Sequence, residues 1–337
     1  MNPVPTLGVA VVGLGIGEQH ARAYRCQSAC QLRVLCDHDQ ARAQALANTL
    51  GCGRAEVDFA TILTDKAVDL VSIASYDDAH AAQTLAVLES GKHVFVEKPL
   101  CCSREELERL KQVCQRCPDL KLESNLVLRS APLYRWLKAQ IEAGLFGEIY
   151  AFDGDYLYGR LHKITQGWRK DVEHYSVMLG GGIHLIDLML WLLGDRPRQV
   201  SALGNRLCSE GTAFRYCDFV SAQFQFASGA VGRITANFGC IHRHQHVLRV
   251  FGTAASFIYD DAGARLHLTR DPALKAAPVA LDPLPASKGE LIAPFVNAIL
   301  QGQDMQGQIQ HNFDVISTCL AADQALGLHN SVSIDYV

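Results

Sequence analysis

The chain has 337 residues, 49% of them hydrophobic, with a formal net charge of −4, enough for two domains of ordinary size. Acidic and basic residues are interspersed, so no basic stripe marks a nucleic-acid surface, and no apolar run is long enough to span a bilayer. The N-terminus, MNPVPTLGVA, has no basic segment before its apolar run; that run reads as a first strand, no secretory signal is expected, and a cytoplasmic location is.

The twelve cysteines lack the spacing of a small disulfide framework. Cys26, Cys30, Cys36, Cys52 and Cys319 lie in helical or strand patterns and read as small buried hydrophobes. Cys114 and Cys117 form a CxxC without the second pair or thioredoxin-like context that a zinc or redox site needs, so no metal is expected there.

Leu7–Val12 is a valine-rich strand followed by Gly13-Leu14-Gly15-Ile16-Gly17 and a helical pattern from Glu18 to about Cys26. Strand, glycine turn and helix form a dinucleotide site. Gly13 permits the tight turn, Gly15 lets the backbone approach a pyrophosphate, a later glycine lets helix and strand pack closely, and the helix N-terminus faces the phosphates. Gly17 arrives one residue earlier than GxGxxG requires. The next strand, Leu32–Cys36, ends in Asp37, an acid about twenty residues beyond the glycines, placed to accept from a ribose and to repel a 2′-phosphate. NAD is therefore expected over NADP, with His38 and Arg42 pulling the other way. Asp37 also fits a turn or N-cap before the helix Gln40–Leu50.

A short strand at Val57, a helical turn at Thr61–Thr64 and a buried strand at Asp69–Ala74 follow. A helix from about Asp78 to Ser90 is closed by Gly91. Then comes His93–Pro99, HVFVEKP. Its β-branched and aromatic residues suit a strand buried on both faces, and the proline holds Lys98 outside helical conformation at the strand's carboxyl end. Ser103 and Glu106 make a capping box for a helix over Glu105–Cys117, and Leu120–Val127 is the last strand of the first domain. Alternating strands and helices argue for a doubly wound parallel sheet.

The second part opens with a helix at Leu133–Ala143, ended by Gly144, and a strand at Glu148–Tyr158. Gly159–Tyr175 reads as a loop carrying Arg160, Lys163, Trp168, Arg169, His174 and Tyr175, a mixture suited to a polar substrate. Gly180-Gly181-Gly182-Ile183-His184-Leu185-Ile186-Asp187 leads into an apolar helix, with His184 and Asp187 three apart on one face. Successive short strands, Gln199–Leu207, Asp218–Phe226, Ala230–Asn237, His246–Gly252 and Ser256–Tyr259, argue for a largely antiparallel sheet. His242, His244 and His246 alternate and in a strand share a face; without a carboxylate or cysteine partner, polar contacts are favoured there over a metal. Leu266–Ser287 reads as loop, and Glu290–Gln301 and Asn312–Gly327 as closing helices. The expected division is 1–126, a Rossmann α/β domain, and 127–337, an α+β domain with a large, mainly antiparallel open sheet.

GLGIGEQHA, the segment Ser75–His80 and GKHVFVEKPL together resemble the glucose–fructose oxidoreductase/inositol dehydrogenase/rhizopine catabolism (Gfo/Idh/MocA) family over nearly the whole chain. The resemblance implies an NAD-dependent dehydrogenase acting on a secondary alcohol of a sugar, cyclitol or nucleotide sugar, in a homodimer or homotetramer built through the open sheet. It implies catalytic roles for Lys98 and His184 and cofactor contacts from Gly13, Gly15, Ile16, Gly17, Asp37, Ser75, Asp77, His80, Glu97 and Lys98. Asp77 stands where the family often has asparagine. Substrate contacts are expected from Asn125, Arg129, Tyr158, Lys163, Trp168, Tyr175 and Asp187. Many members carry an aspartate four residues before the histidine; here that position is Gly180. Lys98 and His184 then suffice, or another group such as Tyr175 substitutes, or catalysis is lost. The alternatives are therefore a non-catalytic NAD-binding regulator and an oxidoreductase that keeps its nicotinamide bound.

Overall fold

The computed structural model describes residues 6–337. Its first strands and helices alternate: β1 (Leu7–Val12), α1 (Gly17–Arg25), β2 (Cys30–Cys36), α2 (Gln40–Leu50), β3 (Arg54–Glu56), α3 (Ala60–Thr64), β4 (Leu70–Ile73), α4 (His80–Glu89), β5 (His93–Val96), α5 (Arg104–Arg116) and β6 (Leu122–Ser124). The six strands form one parallel sheet in the order β3-β2-β1-β4-β5-β6. The order reverses at β1, and ligands of open α/β sheets bind at the carboxyl ends of the strands beside such a reversal. The capping box at α5 is present, with Glu106 N–H donating to Ser103 Oγ and the Glu106 carboxylate accepting from Ser103 N–H.

The chain continues through α6 (Pro132–Glu142), β7 (Ile149–Leu157), α7 (His162–Thr165), α8 (Ile183–Leu193), β8 (Pro197–Asn205), β9 (Phe219–Phe226), β10 (Val231–Asn237), β11 (Gln245–Gly252), β12 (Ser256–Asp260), β13 (Gly263–His267), β14 (Ala277–Pro278), α9 (Ile292–Leu300), α10 (Gln306–Leu328) and β15 (Val332–Ser333). The nine-stranded sheet runs β14-β13-β12-β11-β7-β10-β9-β8-β15. Only β7 and β10 pair in parallel; every other neighbour is antiparallel. Burial along β7 and β9 alternates residue by residue, as expected for a sheet with one packed face.

Two compact units result: residues 1–130, 285–313 and 337, and residues 131–284 with 314–336. The first boundary lies four residues beyond the expected 126/127, after a 3₁₀ turn at Val127–Ser130. The segment 285–313, expected in the second domain, belongs to the first. Ile292, Phe295 and Val296 of α9 bury themselves in one core with Val9, Val11, Leu35 and Phe95. Burying each such side chain stabilises by roughly 1.5–3 kcal/mol, so an apolar α9 face is held by that core.

Several elements differ from the sequence reading. The third strand ends at Glu56, so Val57 lies just beyond it. The last strand of the first sheet is shorter than Leu120–Val127. The stretch expected as loop after Leu266 begins inside β13, which pairs with β12 through a tight turn at Asp261-Ala262 that lacks the Asn-Gly or Asp-Gly signature of a hairpin. Among the described residues no helix is long and apolar enough to cross a membrane.

Candidate active site

The glycine turn closes β1 onto α1. Gly13 has φ +81° and lies so close to the Ala74 backbone that a Cβ would strike it. A Cβ on Gly15 would meet nothing within 4 Å, an open cradle in front of the turn. Gly17 packs against Val11 and Ala74, where a Cβ would come within 3.0 Å of Val11 Cγ1. These are the three tasks a dinucleotide turn assigns to glycine: sharp turn, close ligand approach and close helix packing. The chain therefore fits a dinucleotide on an observation of its own backbone.

Asp37 is buried and fastens this turn. Its Oδ2 accepts from Leu14 N–H at 2.7 Å and its Oδ1 from Asp39 N–H at 2.9 Å. Arg42 and His38 lie beside it, at 3.5 and 3.2 Å. The N-cap of α2 is Asp39, whose side chain accepts from Arg42 N–H. Asp37 thus joins the end of β2 to the glycine turn, a structural task the sequence did not disclose.

Lys98 follows β5 directly, and its peptide bond to Pro99 is cis. The preceding Glu97 is largely buried, its side chain 13% exposed. Its Oε1 accepts from Asn125 Nδ2 at 2.6 Å and lies 3.1 Å from His20 Nε2. Its Oε2 accepts from Lys98 N–H at 3.3 Å. Burial pushes the Glu97 carboxyl up, but the hydrogen bond and charge of His20, the Lys98 charge and Asn125 outweigh it and hold the group at about 2. His20 Nδ1 reaches Ser72 Oγ at 3.0 Å, and Asn125 also donates to the Lys288 carbonyl at 2.8 Å. One buried network therefore ties α1, β4, β5 and the end of β6. His20 and Ser72 were not singled out from sequence; the histidine three residues after Gly17, on the inward face of α1, was the available signal.

His80, fully buried, bridges the carbonyls of Pro99 (2.7 Å) and Ser75 (3.2 Å), so it sets the spacing of the turns after β4 and β5. Ser75 donates to Gln83 at 2.7 Å, and Asp77 opens the 3₁₀ turn before α4. Arg129 lies 3.8 Å from Glu123 in the turn after β6, nearly enclosed, whereas Asn125 sits inside the Glu97 network.

In the second unit, Met178–Gly182 forms a π-helical turn that runs into α8. Ser176 Oγ accepts from Met178 and Leu179 N–H, both at 3.1 Å, and donates to Asp323 of α10 at 2.8 Å. Asp323 is half-buried as a residue, but its Oδ2 is enclosed, and burial pushes its carboxyl up to about 7 against the Ser176 hydrogen bond. His184, 7% exposed in the first turn of α8, stacks on Tyr156 at 6.2 Å and meets His246 edge-on at 5.7 Å. Asp187 is fully buried one turn on. His244 and His246 lie 4.9 Å apart, with Tyr158 packed on His244 at 5.6 Å. His242 departs from them and pairs with Asp261. Its part in the alternating pattern fails because β11 begins only at Gln245.

Tyr175 is buried and accepts from Arg169 Nε at 2.9 Å, while Arg169 also lies over Trp168 at 4.5 Å. Lys163 lies exposed on α7. The structure thus gathers His184, Tyr156, Tyr158 and Tyr175 in one aromatic cluster; Tyr156, His244, His246 and Arg169 are members that sequence reasoning left unassigned, although the period-two pattern of β7 marks Tyr156 as inward. Among the described residues no group of three or more His, Cys, Asp or Glu side chains is placed to hold a metal ion.

Two family models match the chain: an oxidoreductase family with an NAD-binding Rossmann fold over residues 7–120, and the GFO/IDH/MocA C-terminal domain over residues 134–258. A 2,7-anhydro-N-acetylneuraminate hydratase from Mediterraneibacter gnavus is 26% identical over 269 residues, covering 78% of this chain and 70% of that protein. A levoglucosan dehydrogenase from Pseudarthrobacter phenanthrenivorans is 26% identical over 293 residues, covering 75% and 73%. A solved levoglucosan dehydrogenase in complex with NADH superposes with a TM-score of 0.87 at 22% identity, covering 98% of this chain and 100% of that one, which establishes the shared fold. With an NAD-binding Rossmann unit followed by the matching C-terminal domain, the chain belongs to the Gfo/Idh/MocA family of oxidoreductases.

Proposed function

We propose that this protein is an NAD-dependent dehydrogenase for a secondary alcohol of a sugar, cyclitol or nucleotide sugar, with Lys98 and His184 acting on the reacting hydroxyl. The observation that carries the reading is Lys98, at the carboxyl end of β5, beside a glutamate held anionic by His20 and Asn125. Such a carboxylate favours a charged lysine next to it. Bound NAD supplies the hydride acceptor. Gly13, Gly15, Ile16 and Gly17 hold the pyrophosphate, Asp37 the adenosine ribose, and Ser75, Asp77 and His80 the turns beside the nicotinamide ribose.

His184 takes the hydroxyl proton as general base, its imidazole orientation fixed by Tyr156 and His246. Lys98 hydrogen-bonds the same oxygen and stabilises the negative charge that develops there. Asn125, Arg129, Tyr158, Lys163, Trp168, Tyr175 and Asp187 form the substrate-binding set, with Asn125 and Asp187 acting from buried positions. Asp37 favours NAD over NADP, and the open face of the nine-stranded sheet serves a homodimer or homotetramer.

NADH formation by purified protein on inositols, levoglucosan, aldoses, sugar acids and nucleotide sugars tests the reading. Turnover with one class, lost in Lys98→Ala, supports it; NADH binding without turnover of any alcohol refutes it. The hydratase relative favours a second reading, in which the nicotinamide stays bound and is regenerated each cycle, because hydration causes no net oxidation. Nicotinamide absorbance in the freshly purified protein distinguishes the two.

A further inference from the structure

The first unit concentrates positive charge in a place the cofactor reading does not use. A cavity of about 510 Å³ opens at the amino end of β2, beside the turn from α2 into β3. Its volume lies in the range of small-molecule sites. Arg25, Arg33 and Arg54 line it and no aspartate or glutamate does, in a chain with 35 acidic and 31 basic residues. The three arginines come from the last turn of α1, from β2 and from the start of β3. A cation in the last turn of a helix complements the helix dipole. That accounts for Arg25 but not for the two strand arginines. Arg54 Nη1 donates to Asp65 Oδ2 at 2.8 Å. Among the described residues Arg25 and Arg33 have no carboxylate partner.

The wall between α2 and β3 is largely backbone. Gly51 has φ +65° and Gly53 has φ +81°, with Cys52 between them. A Cβ on Gly51 would meet nothing within 4 Å, so the turn is open to a ligand. The N–H groups of Cys52 and Gly53 donate to no acceptor among the described residues. Neighbouring N–H groups in left-handed turns form concavities that take anions. Burial pushes the Cys30 thiol, in the same cavity, up to about 11, so it brings no competing negative charge.

We infer that this cavity binds a phosphate dianion, either inorganic phosphate or a small phosphate monoester. Three guanidinium charges less the one carboxylate of Asp65 leave two, which matches a dianion. Guanidinium forks pair with phosphate oxygens two at a time, and the unpaired N–H groups supply further donors. The cavity is not the cradle for the cofactor's phosphates. The seven residues of β2 put about 20 Å between its amino end and its carboxyl end, where Asp37 meets the glycine turn. The inference stands independently of the dehydrogenase reading.

Calorimetric titration of the full chain saturated with NADH tests it, because the glycine turn is then already occupied. The probes are inorganic phosphate and glycerol 2-phosphate. Saturable single-site binding is expected. Tighter binding of the ester assigns the site to monoesters, and equal affinity assigns it to the free ion. Arg25→Ser and Arg33→Ser are each expected to weaken binding about 10- to 100-fold, and Arg33→Lys, which keeps the charge and loses the fork, by less than Arg33→Ser. NADH affinity should be unchanged in all three, which shows that they are folded. Arg116→Ser removes a charge exposed on α5 outside the cavity and is expected to change the affinity by less than about threefold. No saturable binding of either probe overturns the inference. So does phosphate binding that survives Arg25→Ser and Arg33→Ser, which places the anion elsewhere, or equal loss in Arg116→Ser, which makes it a response to overall charge. Binding of a single-stranded RNA oligonucleotide with no binding of the small phosphates overturns it as well.

Discussion

Glu97 offers a test of the network that holds Lys98. Its carboxyl is displaced from 4.5 to about 2, with burial opposing and His20, Lys98 and Asn125 driving the shift. The folded value is depressed, so its stabilisation is fully present above the unfolded pKa and lost as pH falls through the folded one. A displacement of this size corresponds to about 3 kcal/mol, and the 13% side-chain exposure leaves little solvent to screen it. In Glu97→Gln the amide oxygen can still accept from Asn125, but its NH₂ then faces the Lys98 N–H, donor against donor. The variant is expected to lose about 2–3 kcal/mol at pH 7. Urea unfolding of the first unit, followed from pH 7 to pH 3, measures both effects. Wild-type stability should fall over the lower part of that range, and the gap to Glu97→Gln should narrow. Parallel curves, or a variant as stable as wild type at pH 7, refute the assignment of a structural anion.

Three further outcomes follow from the geometry. Lys98→Ala should lower kcat about 10²- to 10⁴-fold with NADH affinity nearly intact by fluorescence titration; parallel loss of both means the lysine is structural. Asp37→Ala should reduce the ratio of NADP to NAD dissociation constants at least about tenfold and also weaken NAD itself, because Leu14 N–H and Asp39 N–H lose their acceptor; an unchanged ratio refutes ribose recognition by Asp37. Asp323 titrates at about 7 in the folded chain, raised by burial. Its contribution is present below the carboxyl's ordinary value and lost as pH rises through about 7. Asp323→Asn should therefore flatten the decline of second-unit stability between pH 5 and 8, a few kcal/mol at most. An equally steep decline in the variant shows that another group is responsible.

What was legible in the sequence was what local chemistry decides. The glycine turn, the buried strand before Lys98, the Ser103–Glu106 capping box and the alternation of β7 each follow from residues adjacent in the chain. What was not legible depends on pairings across long separations. His20 meets Glu97 seventy-seven residues away, and Ser176 meets Asp323 across 147 residues. Membership of α9 in the first core rests on Phe295 and Val296 finding Phe95 and Leu35, which periodicity within α9 alone does not specify. Asp37 was legible as an acid at the right distance, but its two backbone partners emerge only once β2 lies beside β1. Gly180 looked like the loss of a functional side chain; the fold gives the same space to Tyr175.

Two carboxyl groups, one in each unit, are shifted in opposite directions from their ordinary values for one physical reason. Glu97 collects donors from Asn125 and Lys98 and the charge of His20, which together exceed its burial penalty. Asp323 meets a single hydroxyl, and burial prevails. Desolvation acts on both in the same direction, so the number and charge of the donors decide the outcome. The anion beside Lys98 favours the charged form of that lysine. The near-neutral acid lies behind Ser176, which caps the turn leading to His184, and so places a titrating group two hydrogen bonds from the start of that turn. A pH dependence of turnover near 7 therefore has Asp323 as a candidate origin here. Asp323→Asn tests this, because an apparent pKa belonging to Asp323 disappears in the variant, whereas one that survives the substitution belongs to another group.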